Sequence, residues 1–195
     1  MSKFCIGIVS YFPDDEILRN ERQGYCFDLI NKCQEVFKDV PIIVIAQNWQ
    51  GRKIEGATIY EYDKLGIYKA RNELKKIFLA SEYDNLIMLD DDAILTGDEI
   101  DGRLYMKEVS NNPNKIGYFQ GKFLKLCCIP KEVYKNIPDF TEETYNDEKT
   151  VYEYAKANGM YIFSYPYTIN RNKIINRNAS STWATRIDRR LAFLD

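Results

Sequence analysis

Three consecutive carboxylates, Asp90, Asp91 and Asp92, follow the apolar run Leu86-Ile87-Met88-Leu89 and give way at once to Ala93-Ile94-Leu95. Like charges at the end of a buried strand repel one another, and a bound divalent cation turns that repulsion into attraction. On an extended chain residues i and i+2 point the same way, so Asp90 and Asp92 face one ligand while Asp91 faces elsewhere. Magnesium and manganese suit such a pair, because they take one or two protein carboxylates and complete their shells with water and phosphate oxygens. The alternative is an acidic turn that caps the next helix. Its place directly after an apolar strand favours the ligand site, since ligands of open α/β sheets bind beyond the carboxyl ends of the strands.

The chain contains no histidine. That removes Ser-His-Asp and Cys-His nucleophile systems and zinc sites of the Cys/His kind. Acid–base work falls to carboxylates, Lys, Tyr or Cys, and a metal site must be built from oxygen ligands.

Placing the triplet requires a set of elements around it. "FCIGIVSY" (4–11) reads as a buried strand, "PIIVIAQ" (41–47) as a second, "ATIYEY" (57–62) as a third and "NLIMLD" (85–90) as a fourth. Asp14 or Asp15 caps a helix over about 16–38, whose apolar face runs through Ile17, Leu18, Tyr25, Leu29, Ile30, Cys33 and Val36. Residues 66–81 have helical spacing, with Ala70, Leu74, Ile77, Phe78 and Leu79 on or near one face. The first half therefore reads β-α-β-β-α-β with strands apolar on both faces, which predicts an α/β fold with a mainly parallel central sheet flanked by helices. The second half is less regular. "KIGYFQGKFLKLCCIP" supplies two strands around Gly121, "DEKTVYEYAKANG" a helix followed by Gly159 as its C′ residue, and "MYIFSYPYTI" a strand. From Asn170 the chain turns polar and basic, and this tail is expected to order over a bound diphosphate.

"NLIMLDDDAIL", preceded by "GIYKARNELKKIFLAS", resembles the GT-A glycosyltransferases, and among them the family-2 members, which pair an Ala-Arg-Asn helix with a strand ending in an Asp-x-Asp metal motif. The opening strand "CIGIVSYFP" fits the same pattern, and the resemblance runs over about residues 3–160. It implies a single GT-A-like domain, with a nucleotide-sugar half over about 1–95 and an acceptor half with the basic segment over about 96–195. It also implies a nucleotide-diphospho-sugar donor, with a UDP-sugar the leading candidate, and a Mn2+ or Mg2+ cofactor. Carried over residue by residue, Asp92 holds the metal with Asp90, Asp90 lies near the ribose or sugar beside Asp91, Arg71 lies near the nucleotide or donor sugar, and Ser10 and Tyr11 begin the nucleotide pocket. The inverting members need a carboxylate to deprotonate the acceptor hydroxyl. "TYNDEKTVYEYAKANG" matches its place, with Asp147 as first choice and Glu148 as second; the competing reading is a pair of carboxylates that only complement a helix N-terminus.

Two departures from that pattern stand out. The second strand ends "IAQNWQG" rather than in an acidic turn, leaving Asn48 to hydrogen-bond a base and Trp49 to stack on one. The chain also leaves little room for a separate acceptor domain. The acceptor is a glycan, a protein or a modified nucleic acid, and a homo-oligomer is compatible with the chain. The rival enzyme class is a nucleotidyltransferase of related fold, which usually carries a Gly-rich phosphate loop after the first strand; "SYFPDDEILRN" has none. The rival outside enzymology is a non-catalytic module that binds nucleotide or a partner.

The bulk properties agree with a globular domain of 195 residues, 45% hydrophobic and 29% charged. A net charge of −2 gives no global electrostatic case for nucleic acid. Five cysteines, an odd number with no C-x-x-C, read as reduced buried thiols in a cytoplasmic protein. No signal peptide and no transmembrane segment are expected.

Overall fold

The computed structural model describes residues 2–50, 54–91, 93, 95, 97–118, 126–141, 147–159 and 161–164. Within them the elements run β1 (Phe4–Tyr11), α1 (Glu16–Val36), β2 (Ile42–Gln47), β3 (Ala57–Tyr62), α2 (Ile67–Ala80), β4 (Asn85–Asp90), α3 (Glu99–Ser110), β5 (Ile116–Tyr118), β6 (Leu126–Pro130), α4 (Lys131–Tyr134), α5 (Asp147–Ala157) and β7 (Tyr161–Ser164). The seven strands form one sheet in the order β3-β2-β1-β4-β6-β5-β7. Strands β3, β2, β1 and β4 pair in parallel, and β6 runs antiparallel to β4 and β5. The expected mainly parallel sheet, flanked by helices, is therefore observed.

Side-chain alternation divides the core into two layers. From β1, Phe4, Ile6 and Ile8 join Cys26, Leu29 and Cys33 of α1 and Tyr105 and Val109 of α3. Cys5 and Val9, pointing the other way, join Ala70, Leu74 and Phe78 of α2 and Val151 and Ala155 of α5. β4 splits likewise, with Ile87 and Leu89 in the first layer and Leu86 and Met88 in the second. Strands buried on both faces cannot show an apolar–polar alternation, which is why they read in sequence as continuous apolar runs.

Local signals set the ends of the helices. The Asp15 side chain accepts the Leu18 amide at 2.9 Å and caps α1. α3, which the sequence reading left unassigned, begins with a capping box in which Asp98 accepts the amides of Ile100 and Asp101. The capping role is thus taken by Asp98, seven residues beyond Asp91, and Asp90 and Asp91 belong to the strand end instead. Gly159 adopts φ +62° after α5, as its place at C′ requires. Gly121 and the tail from Asn170 lie outside the described residues.

Two glycines permit close approach. A Cβ on Gly7 would stand 2.8 Å from both Leu74 methyls and from Leu86, so its absence lets α2 settle onto β1. A Cβ on Gly102 would stand 1.9 Å from the Val36 carbonyl oxygen, so α3 packs directly on the backbone at the end of α1. All five cysteines are free and buried. Burial pushes the Cys5 thiol up to about 12 and holds those of Cys26, Cys33 and Cys128 well above the ordinary thiol range. Among the described residues no helix is long and apolar enough to cross a membrane.

The contact at Gly102 is with backbone, which cannot swing aside. Gly102→Ala is expected to cost about 1–3 kcal/mol of overpacking, lowering Tm by roughly 2–12 °C in a thermal melt of a chain this size. An unchanged Tm would mean that α3 does not sit on α1 as closely as described.

Candidate functional site

β4 lies between β1 and β6, and its carboxyl end carries the acidic triplet. Alternation continues past the apolar run, so Asp90 turns to the layer of Leu86 and Met88, and Asp91 to the layer of Ile87 and Leu89. Each carboxylate meets an arginine there. Arg71, on α2, donates through Nη2 to Asp90 Oδ1; its side chain is 5% exposed and that of Asp90 25%. Arg22, on α1, donates through Nη2 to both oxygens of Asp91 at 2.8 Å. Ser10, near the end of β1, donates its hydroxyl to Asp91 Oδ2. Asp91 itself is only 5% exposed. Cys26 lies beneath, its thiol raised chiefly by burial and then by the Asp91 charge.

The strand register explains why these residues meet. Val9 pairs with Asp90, so Ser10 follows beside Asp91, and Tyr11 pairs with Gln47 at the end of β2. Ser10, Tyr11, Asn48, Asp90, Asp91 and Arg71 therefore gather around the carboxyl ends of β1, β2 and β4. Tyr11 is half-buried there. Asn48 takes φ +55° and is held in place. Its Nδ2 donates to the Phe12 carbonyl at 2.9 Å and to Asp14 Oδ1 at 2.7 Å, and its amide donates to the Tyr62 carbonyl at 2.9 Å. Trp49 turns into the core at 8% exposure, its ring 4.8 Å from that of Phe12 and 5.8 Å from that of Phe27. Asp92 lies outside the described residues, as do the side chains of Asp147 and Glu148, whose backbone begins α5.

α2 does more than carry Arg71. Asn72 forms a reciprocal pair with the backbone of Phe140: its Nδ2 donates to the carbonyl at 2.9 Å and its Oδ1 accepts the amide at 2.9 Å. Lys75, 7% exposed, donates to the Ile137 carbonyl at 2.6 Å and to Asp139 Oδ1 at 2.7 Å, with its ammonium 5.7 Å from the centre of the Tyr134 ring. One stretch of helix thus ties the carboxylate end of β4 to the 137–140 segment that precedes α5. Sequence reading named neither Arg22, Asn72 nor Lys75. A signal existed: Arg22 stands four residues before Cys26 on the apolar stripe of α1, and Lys75 falls between Leu74 and Phe78 on that of α2. A charge on a buried stripe needs a partner.

Among the described residues no group of three or more His, Cys, Asp or Glu side chains could hold a metal. Of the two described carboxylates of the triplet, Asp90 is the accessible one. Carboxylate oxygens are the donor type that hard cations such as magnesium and manganese take, and Asp90 is the carboxylate of the two with the more exposed side chain.

No protein-family profile matches the chain, and no curated protein sequence does. Solved structures do. A protein from Desulfovibrio desulfuricans G20, provisionally named a nucleotide-diphospho-sugar transferase, aligns with 84% of this chain and 80% of its own at 11% identity and a TM-score of 0.56. CMP:2-keto-3-deoxy-manno-octonic acid synthetase, solved with CTP, aligns with 95% of this chain and 100% of its own at 10% identity and a TM-score of 0.58. Residues 1–349 of TarS from S. aureus align over 76% of this chain and 53% of that one at 12% identity and a TM-score of 0.53. At such identities the likeness is one of fold, a GT-A-like α/β architecture with a central sheet flanked by helices.

The Asn72–Phe140 pair is directly testable. Asn72→Ala removes both hydrogen bonds and should cost about 1–3 kcal/mol, a fall in Tm of roughly 2–12 °C. Amide exchange at Phe140 should speed up with it, whereas Asn72→Asp, which keeps the acceptor, should leave that amide protected. Equal exchange in the two variants would contradict the pairing.

Proposed function

We propose that this chain is a metal-dependent glycosyltransferase that moves a sugar from a nucleotide-diphospho-sugar, a UDP-sugar first among them, to an acceptor hydroxyl with inversion. The observation that carries the reading is the pair at the end of β4: an accessible carboxylate, Asp90, held by a buried arginine from α2 at the carboxyl ends of the central parallel strands. Open α/β sheets bind nucleotides at such ends. Asp90 and Asp92 would hold Mn2+ or Mg2+, which when bound supplies Lewis-acid stabilisation of the diphosphate leaving group.

The remaining chemistry falls to the chain's own groups. Tyr11 and Asn48 flank the nucleotide at the ends of β1 and β2, with Ser10 buried behind them, and Arg71 adds fixed positive charge near the donor. Asp147, at the start of α5, takes the proton of the acceptor hydroxyl as its oxygen attacks the anomeric carbon, while the carbon–oxygen bond to the diphosphate breaks and the nucleoside diphosphate departs. Helix-terminal amide groups favour the charged carboxylate that a proton acceptor must be. Glu148 is the second choice.

Nucleotidyl transfer on the same fold is the competing chemistry, and β1 speaks against it. Its end runs through Phe12-Pro13 into the Asp15 cap of α1 with no glycine-rich phosphate loop. The products separate the two: a glycosyltransferase releases a nucleoside diphosphate, a nucleotidyltransferase pyrophosphate.

Screening sugar nucleotides with Mn2+ by thermal stabilisation should find at least one that raises Tm, and nucleoside diphosphate release should then require metal. Chelator should abolish it, and Asp92→Asn should lower it on the order of a hundredfold or more with the fold intact. Turnover that survives chelation contradicts the metal assignment. Asp147→Asn should reduce transfer by roughly 10²–10⁴-fold while leaving UDP affinity within about threefold of wild type. Poor donor binding would move Asp147 to the donor site, and normal transfer would hand the base role to Glu148.

A further inference from the structure

We propose that Asp91 is not a ligand of the donor or the metal but a positioning residue, locked by Arg22 and Ser10 so that the end of β4 presents Asp90 in one fixed orientation. The inference rests on the donor-site reading above and assigns a role within it that the acidic triplet alone does not reveal.

The geometry argues against a ligand role. Asp91 has both oxygens in hydrogen bonds to Arg22 Nη2 at 2.8 Å, and Oδ2 also accepts from the Ser10 hydroxyl. Its side chain is 7% exposed, against 25% for that of Asp90. It faces the α1 layer, opposite to Asp90, because successive residues of an extended chain point to opposite sides. A carboxylate so turned and so engaged offers no open edge to a phosphate-bound cation.

The same contacts supply the positioning. The lock joins three elements, α1 through Arg22, β1 through Ser10 and β4 through Asp91. Just beyond it, the Ala93 amide donates to the Asp90 carbonyl at 3.0 Å, so the chain turns as it leaves the sheet. With Asp91 pinned on one face and Arg71 gripping Asp90 on the other, the strand end has little rotational freedom. Loss of Arg22 leaves Asp91 an uncompensated charge at the strand end, and loss of the Asp91 charge leaves Arg22 one on α1; relief in either case parts the strand end from α1. Asp90 would then be misaimed although untouched. Removing both charges together leaves nothing to expose, so the strand end should stay in place.

The test is a mutant cycle read two ways, by Tm and by UDP affinity in Mn2+ using isothermal titration. Asp91→Asn and Arg22→Gln should each lower Tm by roughly 6–20 °C and weaken UDP binding by about tenfold or more. The double variant should recover most of both, binding UDP within about threefold of wild type. Ser10→Ala, which removes one hydrogen bond and keeps the ion pair, covers the case of a single variant that fails to fold: its Tm and affinity should fall together by smaller amounts, and no change in either would count against the lock. Asp91→Asn with a normal Tm but lost affinity, or a double variant that regains Tm yet binds UDP as poorly as Asp91→Asn, overturns the proposal and makes Asp91 a ligand. Wild-type protein that binds neither UDP nor any other nucleoside diphosphate in Mn2+ overturns the donor-site reading instead and reduces the lock to a structural ion pair.

Discussion

Two successive carboxylates at the end of a buried strand are tolerable only if each has its own cation, and the rest of this structure is arranged around that requirement. Like charges about 6 Å apart repel by about 3 kcal/mol at an effective dielectric of 20, while a guanidinium at about 4 Å returns about 4 kcal/mol. Alternation along β4 separates Asp90 and Asp91 to opposite layers, and each layer supplies one arginine, Arg71 from α2 and Arg22 from α1. The sheet order sets β1 and β4 side by side at its centre, with their carboxyl ends on the same side.

The same constraint makes α2 the pivot of the molecule. It lies close on β1 because Gly7 leaves room for Leu74, and its next residues reach outward on one side and sideways on the other. Arg71 reaches the strand end, and Asn72 and Lys75 hold the 137–140 segment. A change in the position of α2 would therefore move Asp90 and the approach to α5 together.

Much of this was legible in the sequence because it rests on local rules. The apolar runs 4–11 and 85–90, the helical spacing of 66–81 and the divergence of Asp90 from Asp91 follow from backbone periodicity, and a cap at Asp14 or Asp15, which the structure assigns to Asp15, follows from an acidic side chain just before a helix. What escaped depends on tertiary partners. α3 was missed because Ile100 and Leu104 are exposed and blur its apolar face, although the Asp98 capping box marks its start. Arg22 and Lys75 could be suspected as charges on buried stripes, but their partners lie 69 and 64 residues away. Trp49 stands just past a strand end, where an aromatic ring can face a ligand or the core, and its contacts with the distant rings of Phe12 and Phe27 place it in the core.

The proposed function requires a metal-bound nucleoside diphosphate at the carboxyl ends of β1 and β4, against Asp90. Paramagnetic broadening of backbone amide resonances by Mn2+ in the presence of UDP reads that place directly. The account predicts that signals of Ser10, Tyr11, Asp90 and Ala93 are lost while those of Pro41-adjacent Ile42, Thr58 and Tyr83, at the opposite end of the sheet, remain sharp with UDP and Mn2+ both present. Broadening centred elsewhere, or signals around Asp90 that stay sharp while UDP is bound with its metal, would contradict it.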